Sequence, residues 1–295
     1  MFKSIIIVLI GCILVLNATT IVGQNGVLVW MGLERTSENI TSDLTEIETI
    51  HSILTSVAYE RFNLGPNSTL ILNNFTNVQS DINNVGLLTL PMISTCCPWG
   101  RPEVIEYARD LFLNPKPFIS SAIEISILEG FNGFNVDIEP GSGDGTEQDA
   151  IDYANFIDQF ANALHLNDKI LTVAVATYTP FWNYTLLGNT AVDYLFTMST
   201  YGGDIEQFTQ NFQYAVNSIP LDKLAIGLMT VDGNNNPLSD QDLTQRFDLI
   251  NAANIRYIGI WDAPIPSNWF PFLTEFSQRN QVNKISALLP GQQDY

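Results

Sequence analysis

Cysteine and histidine are scarce: the chain has three cysteines and two histidines in 295 residues. Cys12 lies in an apolar leader and Cys96 and Cys97 are adjacent, so no disulfide framework staples this fold and the core must hold it. A bridge between neighbouring cysteines is strained, because consecutive α-carbons sit closer than the usual bridged spacing. Free or half-buried thiols are therefore expected. His51 and His165 stand far apart, and no histidine or cysteine pair has the spacing of metal ligands. The same shortage argues against Ser-His-Asp and Cys-His triads, so neither a metal nor a cofactor is expected.

Positive charge is also short, with 12 lysines and arginines against 31 aspartates and glutamates and a formal net charge of -19. Repulsion disfavours nucleic acid and anionic membrane as partners. The apolar run over 5–16 follows a single lysine and precedes small and polar residues. It is too short to span a bilayer and has the three-part layout of a secretory signal. Residues 1–23 are expected to be a signal peptide, cleaved between about Ala18 and Gln24, with no stable membrane insertion afterwards. Asn-x-Ser/Thr triplets at Asn39, Asn67, Asn74 and Asn183 are candidate glycosylation sites and fit a lysosomal or extracellular destination. An acidic lumen would partly neutralise the negative surface.

A glycine-rich phosphate-cradling turn is missing as well. The first apolar run, "VLVWM" (27–31), leads into "GLERTSEN", which speaks against the open doubly wound sheet of nucleotide-binding domains. Neither an internal repeat, a linker nor a low-complexity block interrupts the chain. What is present is a succession of short β-branched or apolar runs: 27–31, 53–59, 86–94, 133–139, 170–177, 193–200, 223–230 and 256–262. Between them lie helical patterns. Over 147–166, Ala150, Tyr153, Ala154, Ile157, Phe160, Ala161 and Leu164 form one apolar stripe. Over 239–254, Ser239 is a plausible N-cap with Asp240 and Asp242 in the first turn. Eight strands alternating with helices predict an α/β chain folded as a single (β/α)8 TIM barrel over residues 24–295.

The fourth run is chemically the richest. In "GFNVDIE" (133–139) strand alternation puts Gly133, Asn135, Asp137 and Glu139 on one face and Phe134, Val136 and Ile138 on the other. With the polar set toward the axis, Glu139 stands at the C-terminal rim, where barrel enzymes keep their chemistry, and Asp137 lies one layer deeper. Burial and a like-charged neighbour both raise a carboxyl pKa, as a general acid requires. Lysine and arginine are too sparse nearby to pair both acids as structural salt bridges.

Residues 132–139 resemble the fourth-strand signature D-G-x-D-x-D-x-E of the family 18 glycoside hydrolases, which includes chitinases. Gly133, Asp137 and Glu139 match, while Asn132 and Asn135 stand where the family has aspartates. Asparagine at the position of Asn135 is similar to the lysosomal di-N-acetylchitobiase branch. The segments 194–204, 223–230 and 258–263 resemble the family's sixth, seventh and eighth strands, the last carrying Trp261 as a sugar platform. In the sixth, either Tyr201 takes the family's tyrosine role and Gly202 replaces the following aspartate, or Thr200 replaces the tyrosine. Tyr201 is favoured, because the chemistry uses an aromatic hydroxyl.

The resemblance implies substrate-assisted, retaining hydrolysis of β-1,4-linked N-acetylglucosamine in chitobiose cores or chitin oligosaccharides. Glu139 would be the general acid/base, Asp137 would hold the acetamido nitrogen, and Tyr201 would bond its carbonyl. Asn135 would contact substrate and hydrogen-bond Asp137. Among the aromatics near predicted rims (Trp30, Tyr59, Trp99, Tyr178, Trp182 and Trp261), each is either a stacking surface or core packing, and Trp261 is the one singled out. The alternative is a glycan-binding lectin on the same barrel. Retention of Glu139 favours the enzyme, whereas Asn132, Asn135 and the altered sixth strand favour the lectin.

Overall fold

The computed structural model describes residues 25–32, 36–73, 78–95, 102–232 and 236–288. The leader with Cys12, the adjacent Cys96 and Cys97, Trp99 and the Asn74 triplet lie outside the described residues. Eleven strands are formed among the described residues: β1 (Gly26–Met31), β2 (Ser56–Tyr59), β3 (Phe62–Gly65), β4 (Thr69–Leu72), β5 (Leu88–Thr89), β6 (Met92–Ser94), β7 (Gly133–Asp137), β8 (Ile170–Val175), β9 (Tyr194–Thr197), β10 (Leu224–Met229) and β11 (Tyr257–Trp261). Among the described residues nine helices accompany them: α1 (Ser37–Ile50), α2 (Val78–Asn84), α3 (Pro102–Leu113), α4 (Pro115–Glu129), α5 (Glu147–His165), α6 (Tyr184–Gly188), α7 (Ile205–Ser218), α8 (Asp240–Ala252) and α9 (Phe270–Leu288).

The strands make one curled sheet in the order β4-β3-β6-β7-β8-β9-β10-β11-β1-β2-β5. Every ladder is parallel except β3 with β4. The expected strand 86–94 is divided at Pro91, whose nitrogen has no hydrogen to donate. Before the break, Leu90 N–H bonds the Val57 carbonyl on β2 at 2.9 Å; after it, the Pro91 carbonyl accepts from Asn135 N–H on β7 at 3.1 Å. One segment thus bonds to two different neighbours with its two halves.

The β3–β4 hairpin is a departure from the eight-strand expectation. Its turn, Gly65-Pro66-Asn67-Ser68, has φ of 54° at Asn67 and 59° at Ser68, the left-handed conformation that asparagine tolerates. The flanking residues pair antiparallel, Phe62 opposite Leu72 and Leu64 opposite Leu70. β3 also runs parallel to β6, so the hairpin extends one margin of the sheet.

The curl separates two apolar layers. The larger lies between the sheet and the helices; the smaller lies inside the curl and contains Leu28, Trp30, Ala58, Leu90, Met92, Phe196 and Ala225. Strand alternation sorts residues between them, and on β7 Phe134 and Val136 are fully buried on the helix side. The predicted stripe on α5 is buried throughout, and the helix starts with a capping box between Thr146 and Asp149. Ser239 caps α8 as expected, accepting from Asp242 N–H.

Phe160 on α5 is fully buried and meets Phe118, Phe134 and Phe156 at ring-centroid distances of 5.8 Å each. Phe160→Ala should cost about 3–5 kcal/mol in chemical denaturation. Ile151→Ala on the same helix, at a side chain 43% exposed, should change stability by less than about 0.5 kcal/mol.

Candidate active site

The site is built at the C-terminal end of β7. Gly133 opens the strand because a Cβ there would collide with the Ile170 carbonyl of β8. Asp137 closes it and Glu139 lies two residues beyond, so both carboxyls keep the inward phase while Ile138 between them is buried. Asp137 is 5% exposed and Glu139 8% exposed. Both line a cavity of about 350 Å³, within the size range of ligand pockets.

Aromatic rings form much of the rest of the wall. Trp30, Tyr178, Tyr201 and Trp261 line it, with Met198 and Met229 filling between them. Tyr201 and Trp261 are close to parallel, with centroids 6.4 Å apart and planes at 23°, and Trp30 meets Tyr201 edge-on at 6.3 Å. Small residues make room for these rings. A Cβ on Gly227 would lie 2.5 Å from Tyr201 Cε1, and one on Gly259 would lie 2.5 Å from Trp30 Cη2. The cavity wall contains no lysine, arginine or histidine among the described residues.

Tyr201 faces this cavity and Thr200 does not. Thr200 is fully buried, its hydroxyl engaged with the carbonyls of Thr197 and Gly227 at 2.8 and 2.7 Å. The turn is clamped from α8 by Arg246, which donates to the carbonyls of Thr200 at 3.4 Å and Gly203 at 2.8 Å. Its guanidinium lies 4.6 Å from the Phe208 ring centroid. Arg246 is missing from the sequence-based assignment, because a lone arginine on an amphipathic helix reads as surface charge.

Asn135 requires a correction. It does not line the cavity and does not bond Asp137; its amide accepts from Trp30 Nε1 at 3.0 Å and donates to Thr172 Oγ1 at 2.8 Å. Two residues along a strand are about 6.6 Å, which places Asn135 a layer below the acids. Its hydrogen bond to the indole fixes Trp30 from beneath the cavity. Asp137 Oδ1 is buried without a hydrogen-bond partner among the described residues.

Glu139 is better held. Its N–H donates to Thr95 Oγ1 at 2.9 Å, and Tyr178 O–H donates to its Oε2 at 3.0 Å. Tyr178 is 45% exposed, and nothing in the sequence distinguished it from the other rim aromatics. Burial, and then the charge of Asp137, pushes the Glu139 carboxyl well up, with Tyr178 partly opposing the shift. Asp137 is pushed up by burial and then by Glu60. Tyr201 is raised by burial and the neighbouring carboxyls, so its phenol stays protonated and able to donate.

Three of the four candidate glycosylation asparagines are described, and all three are exposed: Asn39 in the first turn of α1, Asn67 in the hairpin turn and Asn183 at the N-cap of α6. No helix among the described residues is long and apolar enough to cross a membrane.

No protein-family model and no curated protein matches the chain. Solved structures do. A chitinase from Chromobacterium violaceum superposes with a TM-score of 0.70 at 14% identity, over 85% of this chain and 98% of that one. A GH18 chitinase from Flavobacterium johnsoniae gives 0.65 at 15% identity, over 89% and 96%. A chitinase-like agglutinin from Robinia pseudoacacia gives 0.65 at 15% identity, over 86% and 98%.

Both carboxyls have folded-state pKa values above their unfolded ones, so the folded chain retains protons that the unfolded chain loses above about pH 4. Stability contributed by these groups is complete below that pH and falls as pH rises through the raised values. Glu139→Gln should therefore melt above the wild type at about pH 7–8, and the advantage should vanish near pH 4. An equal offset at both pH values, read by calorimetry, would contradict this assignment. At these sequence identities the superpositions establish the architecture: the chain has the curled-sheet α/β fold of GH18-type chitinases.

Proposed function

We propose that the chain is a retaining glycosidase acting on β-1,4-linked N-acetylglucosamine, in glycoprotein chitobiose cores or chitin oligomers. The observation that carries this reading is the pair Asp137 and Glu139, side by side at the wall of an aromatic cavity with no cationic side chain in it among the described residues. A buried carboxyl that favours its protonated form is a proton donor near neutral pH. With the sugar bound, the acetamido N–H favours the charge on Asp137, and the proton of the pair is on Glu139.

In the first step Glu139 gives its proton to the glycosidic oxygen as the bond to the anomeric carbon breaks, and the distal sugar leaves as an alcohol. The acetamido oxygen of the remaining sugar bonds to the anomeric carbon and closes an oxazolinium ring. Asp137 accepts from the acetamido N–H and offsets the ring's positive charge. Tyr201 donates to the acetamido oxygen and, with Trp261, fixes the group for attack. Glu139, now a carboxylate, takes a proton from the water that opens the ring, and the product keeps the β configuration. Asn135 supports this through Trp30.

The curled sheet is read as a closed (β/α)8 barrel. In support, β1 bonds to both β11 and β2, and segment 88–94 bonds to β2 with one half and to β7 with the other. The di-N-acetylchitobiase type is favoured by Asn135, and a secretory route to the lysosome or cell exterior by the leader and the exposed asparagines at 39, 67 and 183. A lectin on the same scaffold is the second reading, supported by the likeness to the agglutinin.

The deciding assay is hydrolysis of the N-acetylglucosamine dimer and longer oligomers between about pH 4 and 7. Glu139→Gln should lower kcat by at least about 100-fold, the size of a lost general acid. Wild-type protein that binds the oligomers without cleaving them would establish the lectin instead.

A further inference from the structure

Glu60 follows β2 directly and is 2% exposed, yet it does not contribute to the cavity wall. The alternation that turns Ala58 into the curl brings Glu60 to the same side. Its carboxylate accepts from Ser94 Oγ at 3.0 Å, and Ser94 is the register partner of Asp137 in the β6–β7 ladder. With its amide turned to donate, Asn63 reaches Ser94 Oγ at 2.9 Å and Glu60 Oε1 at 3.0 Å. A buried carboxylate, a hydroxyl and an amide are thus assembled beside Asp137, whose own Oδ1 is buried and partnerless among the described residues.

Among the described residues, the titratable groups that act on Asp137 or feel its charge are acidic or neutral. Glu60 comes from the end of β2, Glu139 from beyond β7, Tyr178 from beyond β8, Tyr201 from the turn after β9 and Tyr153 from α5. Arg61, next to Glu60 in the chain, is turned to Glu129 at 3.2 Å and to the Asn73 carbonyl. Burial and the Glu60 charge resist ionisation of Asp137, and burial and the Asp137 charge resist ionisation of Glu139.

We propose that Glu60 is a positioning residue that titrates together with Asp137, its carboxylate fixed by Ser94 so that its charge sets when Asp137 ionises. Burial and the Glu60 charge, in that order, raise the Asp137 carboxyl. Ser94, by donating to Glu60, keeps the negative charge there and so helps hold a proton on Asp137. When a ligand group donates to Asp137, the proton is released and Asp137 is left charged in the cavity. The effect on turnover rests on the proposed hydrolysis; the coupled titration does not.

The test is therefore made on the free protein, by NMR titration of ¹³C-labelled Asp and Glu carboxyls in the wild type, Glu60→Gln and Asp137→Asn. In Glu60→Gln the Asp137 midpoint should fall by about one pH unit or more, and in Asp137→Asn the Glu60 midpoint should fall reciprocally. Ser94→Ala, which keeps all three carboxyls, should also lower the Asp137 midpoint, so the inference stays testable if Glu60→Gln fails to fold. An Asp137 midpoint unchanged in Glu60→Gln, or in Ser94→Ala where that variant must stand in, overturns the coupling. If oligomers are hydrolysed, the acidic limb of kcat/KM should move down with the same midpoint. If they are not hydrolysed, the titration still decides.

Discussion

The structure turns on keeping acids in a pocket whose wall offers them no cation among the described residues. A carboxylate taken out of water without a paired charge is costly, and the protein's answer is to let the group hold a proton. Beyond what burial alone does, Glu60 raises the pKa of Asp137, and Asp137 raises that of Glu139. A carboxyl that is still protonated near neutrality is able to act as an acid. Two basic residues near the site are held elsewhere: Arg61 faces Glu129, and Arg246 clamps a turn through backbone carbonyls.

The rest of the architecture serves that pocket. Tight packing of aromatic side chains between sheet and helices fixes the strands from outside, while inside the curl glycines and alanines leave space that Trp30, Tyr201 and Trp261 occupy. The indole of Trp30 is tied to Asn135, and Asn135 in turn to Thr172, so the cavity floor is positioned by a hydrogen-bonded chain across β1, β7 and β8. Rings held from several strands at once lose little freedom when a flat apolar ligand face stacks on them.

Much of this was legible in the sequence, and the gaps have physical causes. Period-two alternation identified the inward face of 133–139 and the strands around it, because core burial enforces that phase. The α5 stripe was equally plain. Missed were features that depend on what comes to lie next to what. Glu60 sits one residue past a predicted strand, and only folding reveals that Ser94 stands between it and Asp137. Tyr178 gains meaning from its bond to Glu139, and the bond of Asn135 to Trp30 was not foreseen because strand parity gives a face but not a depth. The β3–β4 hairpin had a sequence signal in Gly65-Pro66-Asn67-Ser68, masked by the expectation of an uninterrupted strand-to-helix connection.

The central claim is that two carboxyls on one strand face divide the work on a bound sugar, one moving a proton and the other holding the group that attacks. The stereochemistry of the first-formed product tests it most directly. Proton NMR, recorded on cleavage of an N-acetylglucosamine oligomer before mutarotation, should show the new reducing end as the β anomer. An initial α anomer would mean that water attacks directly from the opposite face, and would contradict the assigned role of Asp137.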